Sequence, residues 1–357
     1  MRKNIKIHIV AGARPNIVKI APLIRILANE ENIQYKFVYT GQHYNKNLFQ
    51  EMVKTLDINM PDVNFKIGSG SPNLQISKII KKYNEFIESF RPDLVLVFGD
   101  VNSTLAASIV AKKNNVKLAH IEAGLRCYDD NLPEEVNRRL TDSISDFLFT
   151  PSIFEEKNLK KENIKKNIFF VGNIMIDSLI YFLKKKKNLK PIYKNFNGVI
   201  TLHRPENVDI KKSLQEIIIE IKKWTKNNKI LFPLHPRTKK KLIEFGLFDS
   251  LKTVRNLKVC PPLNYSNFLL QIINCRFVIT DSGGIQEETS YLGIPCLTLR
   301  KNTERPITIS QGTNVLVNLK AIINKIEKIK KQKVKIDKWD GKTSERILKI
   351  IKKYMIL

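Results

Sequence analysis

Cysteine is scarce in this sequence, with four residues among 357, and no two of them form a CxxC pair. The spacing of Cys127, Cys260, Cys275 and Cys296 excludes the usual zinc patterns and a disulfide framework. Three of the four lie in or beside apolar, strand-like segments, where a thiol behaves as a small hydrophobic group. Only Cys127 lies in a polar stretch, which makes it the one candidate for a reactive thiol. We assign no catalytic role to any cysteine and predict no metal site.

Long apolar runs are also absent, since none approaches the ~20 residues that a membrane-spanning helix needs. The first apolar segment begins at Ile5, reads IKIHIVA and leads directly into a turn. Because Lys6 and His8 interrupt it, this segment is too short and too polar for a signal peptide, and we interpret it as a first β-strand. The sequence thus predicts a cytoplasmic protein with no membrane partner.

Acidic residues are few relative to basic ones, with 34 Asp and Glu against 62 Lys and Arg, for a formal net charge of +28. A nucleic-acid or anionic-membrane partner would explain such a charge. The lysines, however, form short clusters such as 184–187 and 239–241, beside or within predicted helices and without interleaved aromatic residues. This distribution favours a compositional bias on solvated faces, and we expect no nucleic-acid partner.

Short β-branched runs alternate with longer amphipathic segments, the pattern of βαβ units and parallel sheets. The predicted strands are 5–10, 36–39, 94–98, 117–121, 147–149, 168–171, 199–202, 230–233, 257–259, 277–280 and 296–299. The predicted helices include 17–27, 74–90, 104–113, 211–226, 285–291 and 343–355. The fold class is α/β with two domains, at 1–183 and 198–340, joined by a lysine-rich linker at 184–197. A last helix within 341–357 is long enough to return to the first domain.

The loop after the first predicted strand has features that favour an anion. Gly12 permits a tight turn, a helix begins directly afterwards, and Arg14 adds a fork of hydrogen-bond donors. Lys19, about one turn into that helix, either faces the same anion or is solvated. The loop is not a GxGxxG motif, and by itself it is a weak indication of phosphate binding.

Carboxylates follow two neighbouring strands of the predicted first sheet. Asp100 ends one strand, and because Asn102 or Ser103 is better placed to cap the next helix, Asp100 is available for chemistry. Glu122 directly follows the next strand, and Glu134 lies in the first turn of a later helix, where charge at a helix start is the alternative role. Three carboxylates gathered at one sheet edge would suit acid–base catalysis without a metal.

The second domain carries its polar residues in the same positions after strands. His203 and His235 each follow a strand and lie close to an arginine. The segment 279–293, ITDSGGIQEETSYLG, combines a strand end, two glycines and a helix start, which together predict a diphosphate cradle. Glu287 and Glu288, which we expect in the first turn of that helix, are placed to receive sugar hydroxyls, and Arg305, after a later strand, would add a phosphate contact.

Ten motifs occur in the order known from one family and extend over nearly the whole chain. They read GARPNIVKIAPLI, TGQHY, FGDVNSTLA, HIEAGLR, LPEEVNRRLTD, VGNIMID, TLHRPENVD, LHPRT, TDSGGIQEE and NTERP. On these motifs the chain resembles the non-hydrolysing UDP-N-acetylglucosamine 2-epimerases. The resemblance implies the GT-B architecture, in which two Rossmann-like domains hold the active site in the cleft between them. It also implies a homodimer and a reaction on a UDP-sugar that needs no cofactor.

The implied reaction is reversible epimerisation at carbon 2 of UDP-N-acetylglucosamine, through loss and re-addition of UDP by way of a glycal, to supply polysaccharide precursors. Carried over motif by motif, the catalytic positions are Asp100, Glu122, Glu134 and His203. The implied substrate-binding positions are Arg14, Lys19, Phe268, Ser282, Gly283, Glu288 and Arg305, with Phe268 on the uridine side and Glu288 at the ribose. Which carboxylate removes the carbon 2 proton stays open.

Two departures argue against regulation by UDP-N-acetylglucosamine as an activator. Regulated members have an arginine where this chain has Pro205, and an asparagine–proline pair where it reads PRT at 236–238. Gln42 and His43, which match another part of the activator site, are present.

Four other functions compete with this one. A relative that acts on UDP-2,3-diacetamido-glucuronate is expected to lack the triplet at 304–306. A GT-B glycosyltransferase would share the fold but need no acid cluster, and a hydrolysing epimerase matches the motifs less well. A basic nucleic-acid-binding protein would leave the residues at the strand ends unused.

Overall fold

A computed structural model describes residues 4–41, 46–185 and 189–356, excluding the side chains of residue 14 and residues 46–48. The chain divides into two compact units. Unit 1 comprises 1–184 and 337–357, and unit 2 comprises 185–336. Within the described ranges no helix is both long enough and apolar enough to span a bilayer.

Unit 1 is built on a seven-stranded sheet in the order β3-β2-β1-β4-β5-β6-β7, in which every neighbouring pair is parallel. Its strands are β1 (Ile5–Ala11), β2 (Ile33–Tyr39), β3 (Val63–Asn64), β4 (Leu94–Phe98), β5 (Lys117–Ile121), β6 (Phe147–Thr150) and β7 (Ile168–Phe170). Its helices are α1 (Arg14–Leu27), α2 (Lys46–Leu56), α3 (Pro72–Ser89), α4 (Asn102–Lys113), α5 (Pro133–Ile144), α6 (Ile153–Lys161), α7 (Ile174–Lys185) and α16 (Thr343–Met355).

Unit 2 is built on a six-stranded sheet in the order β10-β9-β8-β11-β12-β13, again with parallel neighbours. Its strands are β8 (Gly198–Thr201), β9 (Ile230–Pro233), β10 (Leu257–Cys260), β11 (Phe277–Thr280), β12 (Cys296–Thr298) and β13 (Asn314–Leu316). Its helices are α8 (Pro205–Val208), α9 (Lys211–Trp224), α10 (Pro236–Glu244), α11 (Phe248–Lys252), α12 (Tyr265–Asn274), α13 (Gly283–Leu292), α14 (Pro306–Ser310) and α15 (Ile322–Lys328), with a 3₁₀ turn at Leu319–Ala321 before α15.

The two parallel sheets confirm the predicted α/β class with two Rossmann-like sheets. Helices cover both faces of a parallel sheet, so its central strands are apolar throughout, and all five residues of β4 are buried. The sequence did not predict β3 or β13. Both are edge strands of two and three residues, too short to show a strand pattern.

The starts of α4 and α16 differ in how their first N–H groups are held. Asn102 is already the first residue of α4, and Val101 occupies the N-cap position, so the expectation that Asn102 or Ser103 caps this helix is wrong. At the other end of unit 1, the buried carboxylate of Asp177 accepts hydrogen bonds from the amides of Thr343 and Ser344, at 3.1 and 2.8 Å. These bonds satisfy the first free N–H groups of α16 and hold that helix on unit 1.

Candidate active site

In each sheet the strand order reverses at one point, and open parallel sheets bind ligands beyond the carboxyl ends of the strands at such a point. In unit 1 the reversal lies between β1 and β4. Asn16 ties together the two loops that leave these strands. Its Oδ1 accepts from the Ala13 amide at 3.0 Å, and its Nδ2 donates to the Phe98 carbonyl at 3.0 Å.

The turn after β5 holds a buried carboxylate in an unusual backbone conformation. Glu122 is 4% exposed and has a φ of 71°, a region that side-chain-bearing residues rarely occupy. Its Oε2 accepts from Lys19 Nζ at 2.5 Å, while its buried Oε1 accepts no hydrogen bond from the described residues. A Cβ on Gly99 would lie 2.8 Å from that Nζ, and the φ of 66° at this residue is a conformation that favours glycine. The structure therefore brings together Lys19 and Glu122, which the sequence singled out separately, and leaves one carboxylate oxygen open.

Arg138 joins the predicted Asp100 to the neighbouring Glu135, and sequence reasoning missed this arginine. Its guanidinium donates to Asp100 Oδ2 and, at 2.9 Å, to Glu135 Oε2. Asn137, the preceding residue, donates to the Asp100 carbonyl at 2.8 Å. The spacing of Glu135 and Arg138, three residues apart on α5, is the one sequence feature that could have indicated this contact.

The two glutamates at the start of α5 have different environments. Glu134 is exposed, whereas Glu135 is buried. The Glu135 carboxylate accepts from the amides of Cys127 and Tyr128, each at 3.1 Å. Burial by itself would raise the pKa of Glu135, but these amides and Arg138 outweigh it, and the pKa is lowered. Glu135 is thus a structural anion, and Glu134 is the one that can reach a ligand.

Cys127 is not the exposed thiol that its polar neighbours suggested. It is 5% exposed, and its Sγ donates to Glu135 Oε2 at 3.3 Å. Burial raises the pKa of this thiol, which disfavours the reactive thiolate. Cys127 is therefore a poor candidate for a reactive thiol.

Three predicted residues cannot be placed with their side chains. Arg14 is the first residue of α1, and its side chain lies outside the described part of the protein. Gln42 and His43 also lie outside the described residues.

In unit 2 the strand order reverses between β8 and β11, and a histidine–aspartate pair lies at that point. Asp281, which is fully buried, accepts from the amides of His203 and Arg204, and its Oδ1 lies 3.1 Å from His203 Nδ1. Burial would raise the pKa of Asp281, but the bonds from His203 and Asn207 outweigh it and lower the pKa. The His203 ring is partly exposed and lies 5.1 Å from the His235 ring, centroid to centroid.

The amino end of α13 follows directly, with Ser282 as N-cap and Gly283 as first residue. A Cβ on Gly283 would lie 2.5 Å from Arg305 Nη1, so glycine allows this guanidinium to reach the helix end. Arg305 is also paired with Glu304 and, at 2.9 Å through Nε, with Glu287. A helix amino end with an adjacent guanidinium is a strong place for an anion.

The two glutamates of α13 lie in its second turn, not its first, because the helix begins at Gly283. Glu288 accepts from the Tyr265 hydroxyl at 2.9 Å, and burial together with neighbouring Glu287 raises its pKa to about 8. Phe268, one helical turn after Tyr265 on α12, is partly buried against the apolar core of unit 2. Among the described residues no group of three His, Cys, Asp or Glu side chains has the arrangement of a metal site.

Known proteins resemble this chain over almost its full length. The family model described as UDP-N-acetylglucosamine 2-epimerase matches residues 25–352. The UDP-N-acetylglucosamine 2-epimerase of Methanocaldococcus jannaschii is 41% identical over 365 residues, covering 97% of this chain and 98% of the relative. The crystal structure of the M. jannaschii enzyme in complex with UDP-GlcNAc and UDP has a TM-score of 0.89 at 38% identity, covering 98% and 99% of the two chains.

A relative with a different printed substrate is also similar. The UDP-2,3-diacetamido-2,3-dideoxy-D-glucuronate 2-epimerase of Pseudomonas aeruginosa is 34% identical over 317 residues, covering 87% of this chain and 88% of the relative.

Proposed function

The chain belongs to the UDP-N-acetylglucosamine 2-epimerase family, and we propose that it interconverts UDP-N-acetylglucosamine and UDP-N-acetylmannosamine. In the elimination step the bond from carbon 2 to hydrogen breaks, and its electron pair forms the double bond of the glycal. The bond from carbon 1 to the diphosphate oxygen breaks at the same time, and UDP leaves with the electron pair of this carbon–oxygen bond. Return of a proton to the opposite face, followed by re-addition of UDP, inverts carbon 2.

The observation that carries this proposal is the arrangement of Glu122 and Lys19 in unit 1. A buried carboxylate with one oxygen paired and one oxygen unused is suited to accept or return a proton. The Lys19 ammonium offsets the electrostatic cost of burying the carboxylate and leaves its second oxygen open. Neither feature is needed for packing alone, because a buried unsatisfied oxygen costs free energy.

Inversion requires proton transfer on two faces of the sugar, and therefore more than one acid–base group. We assign Asp100 and Glu134 to this role with Glu122. Asp100 is held by an ion pair with Arg138, whereas Glu134 is exposed at the start of α5. The different environments of the three carboxylates support a division between base and acid.

The groups in unit 2 suit the departing diphosphate. The Gly283 amide at the amino end of α13 and the Ser282 hydroxyl, with the Arg305 guanidinium beside them, would stabilise negative charge as it develops on UDP. His203, oriented by Asp281, would donate to the same diphosphate. We assign Glu288 to the ribose and Phe268 to the uracil side, and in unit 1 Lys19 and Arg14 complete the substrate contacts. That one substrate uses both sets of residues is a prediction of the family resemblance.

The test is proton NMR of UDP-N-acetylglucosamine with the purified protein in deuterium oxide, with no cofactor added. We expect an anomeric signal of UDP-N-acetylmannosamine to grow, with deuterium at carbon 2 in the product. Release of free N-acetylmannosamine and UDP would instead indicate a hydrolysing enzyme. No change in the spectrum would contradict the proposed substrate.

In that last case the diacetamido-glucuronate derivative is the next substrate to test, since a relative that acts on it is similar over 87% of this chain. The triplet Glu304–Pro306 favours UDP-N-acetylglucosamine, because we expect the other relative to lack it. A glycosyltransferase would show no reaction until an acceptor is added. A homodimer and a cytoplasmic location stay predictions, and light scattering of the purified protein tests the first.

A further inference from the structure

One buried carboxylate holds the turn that contains Glu122 from both sides. Asp142, on α5, is 1% exposed. Its Oδ1 lies 2.6 Å from Nδ1 of His120, two residues before Glu122. Its Oδ2 accepts from the amide of Gly124, two residues after Glu122, at 3.0 Å. One side chain from another element therefore contacts the chain on both sides of the strained backbone at Glu122.

The same imidazole also reaches the loop that carries Asp100. His120 Nε2 lies 2.8 Å from the carbonyl oxygen of Gly99, the residue before Asp100. The backbone adds a second link, since the Gly99 amide donates to the Ile121 carbonyl at 3.0 Å. One side chain therefore connects the peptides next to two of the carboxylates assigned to acid–base catalysis.

Both ring nitrogens of His120 face oxygen atoms that can only accept hydrogen bonds when Asp142 is ionised. A neutral imidazole has one N–H, and it would leave a lone pair against one of these oxygens. Only the doubly protonated ring makes both bonds. Arg126 lies 2.8 Å from Asp142 Oδ2 and is also bonded through two nitrogens to Glu162, at 2.8 and 2.7 Å.

The charges in this group support an ionised Asp142. His120, Asp142 and Arg126 all have fully buried side chains. Burial would raise the pKa of Asp142, but His120 and Arg126 outweigh it, and the pKa is lowered.

We propose that His120 is a buried imidazolium which, together with Asp142, positions Glu122 and the Gly99–Asp100 loop for proton transfer. His120 is a positioning residue, because its two ring nitrogens are occupied by Asp142 and Gly99. Its role in turnover rests on the proposed function, whereas its protonation state does not. The bonds cross from β5 to α5 and to the loop after β4, so they hold groups that the sequence places up to 43 residues apart, from Gly99 to Asp142.

The first experiment measures the protonation state in the unmodified protein by ¹⁵N NMR with labelled histidine at neutral pH. We expect His120 to show two protonated ring nitrogens. His8 is the matched reference in the same spectrum, because it is also fully buried in the sheet of unit 1. Burial lowers the pKa of His8 to about 4, so its ring is neutral at neutral pH. A neutral His120 would overturn the proposal, whether or not the protein turns over a UDP-sugar.

The second experiment compares two variants in the epimerisation assay. His120→Asn keeps a donor towards Asp142 but cannot reach the Gly99 carbonyl. We expect it to lower kcat by about 10- to 100-fold, with KM changed less than about 3-fold, because misplacing catalytic groups affects the transition state more than binding. Asp142→Asn is the conservative variant, since a neutral ring protonated at Nε2 can still donate to Gly99 while accepting from the new amide. We expect it to retain most of kcat and to give the neutral ring signal.

Three results of this comparison would overturn the positioning role. The first is a kcat for His120→Asn within about 3-fold of the unmodified value. The second is an increase in KM that accounts for the whole loss in kcat/KM, which would indicate a role in binding. The third is failure of His120→Asn to fold, which would make the residue an anchor of the fold. Absence of turnover in the unmodified protein would contradict the proposed function, while the ring signals would still decide the protonation state.

Discussion

The ammonium of Lys19 lies 2.5 Å from Glu122 Oε2, and both side chains are almost completely buried. Lys19 belongs to the helix after β1, and Glu122 to the turn after β5, so the sheet brings them together across β4. Gly99, at the end of β4, allows the contact because it has no side chain between them. Such a pair keeps a carboxylate inside the protein with one oxygen open for chemistry.

Replacing Glu122 with glutamine should abolish most turnover and leave UDP affinity nearly unchanged. The amide keeps the shape but cannot accept the carbon 2 proton, so we expect kcat to fall by at least about 100-fold. The NMR assay measures the rate, and calorimetry with UDP measures the affinity. Glu85→Gln, at an exposed position of α3, is the control and should behave like the unmodified protein. A rate within about 10-fold of normal for Glu122→Gln would remove it from the acid–base set.

Glutamine substitution at Glu134 should lower the rate of catalysis, whereas the same substitution at Glu135 should lower the stability of the protein. Glu134 is exposed, so Glu134→Gln should lower kcat without changing the melting temperature. Glu135→Gln removes the buried partner of Arg138, and breaking such a pair costs about 3–5 kcal/mol of unfolding free energy. Calorimetric melting and the epimerisation assay separate the two effects.

Lowering the pH should also distinguish the contributions of Glu134 and Glu135 to the stability of the protein. The pKa of Glu135 is lower in the folded than in the unfolded chain. Its contribution to stability is therefore complete above its unfolded pKa and is lost as the pH falls through its folded pKa. Equal melting temperatures for the two variants at neutral pH, or a normal kcat for Glu134→Gln, would contradict this assignment.

Arg305→Ala should weaken UDP binding while leaving the fold of unit 1 intact. A charge-assisted contact to phosphate contributes about 1.5–3 kcal/mol, which corresponds to roughly a 10- to 100-fold increase in the dissociation constant. Calorimetric titration with UDP measures it. Arg276→Ala is the matched control, because Arg276 is exposed and precedes β11, at the opposite end of the strand from Asp281. Equal UDP affinity for the two variants would exclude Arg305 from the diphosphate site.

The protein should lose stability as the pH rises, because the folded state then loses the proton that it holds on Glu288. Its pKa is about 8 in the folded chain against an ordinary value of 4.5 for glutamate, so the folded state holds its proton more tightly. The stability that this proton confers is complete below the unfolded pKa and is lost as the pH rises through about 8, by at most about 1.4 kcal/mol per pH unit. Urea unfolding at about pH 5 and pH 8 measures this loss. Glu288→Gln should lose less stability over that range, and parallel profiles would contradict the pKa shift.

The strand pattern of the sequence predicted the sheets well, and the reason is physical. Central strands of a parallel sheet are buried on both faces, so runs such as Leu94–Phe98 are apolar and easy to identify. The edge strands β3 and β13 are short and partly exposed, and no local pattern indicates them. The helix start at Asn102 was also misjudged, because a cap depends on backbone geometry that residue preference only approximates.

By itself the sequence determined which chemical groups follow the strands, since the end of each strand is a local property. It placed Glu122, Asp100 and His203 at strand ends without any knowledge of their partners. Only the tertiary structure decided what those groups contact. The Lys19 contact, the Arg138 bridge to Asp100 and the His120–Asp142 pair all join separate elements. Such contacts depend on strand order and helix packing, which set distances in space that sequence spacing does not record.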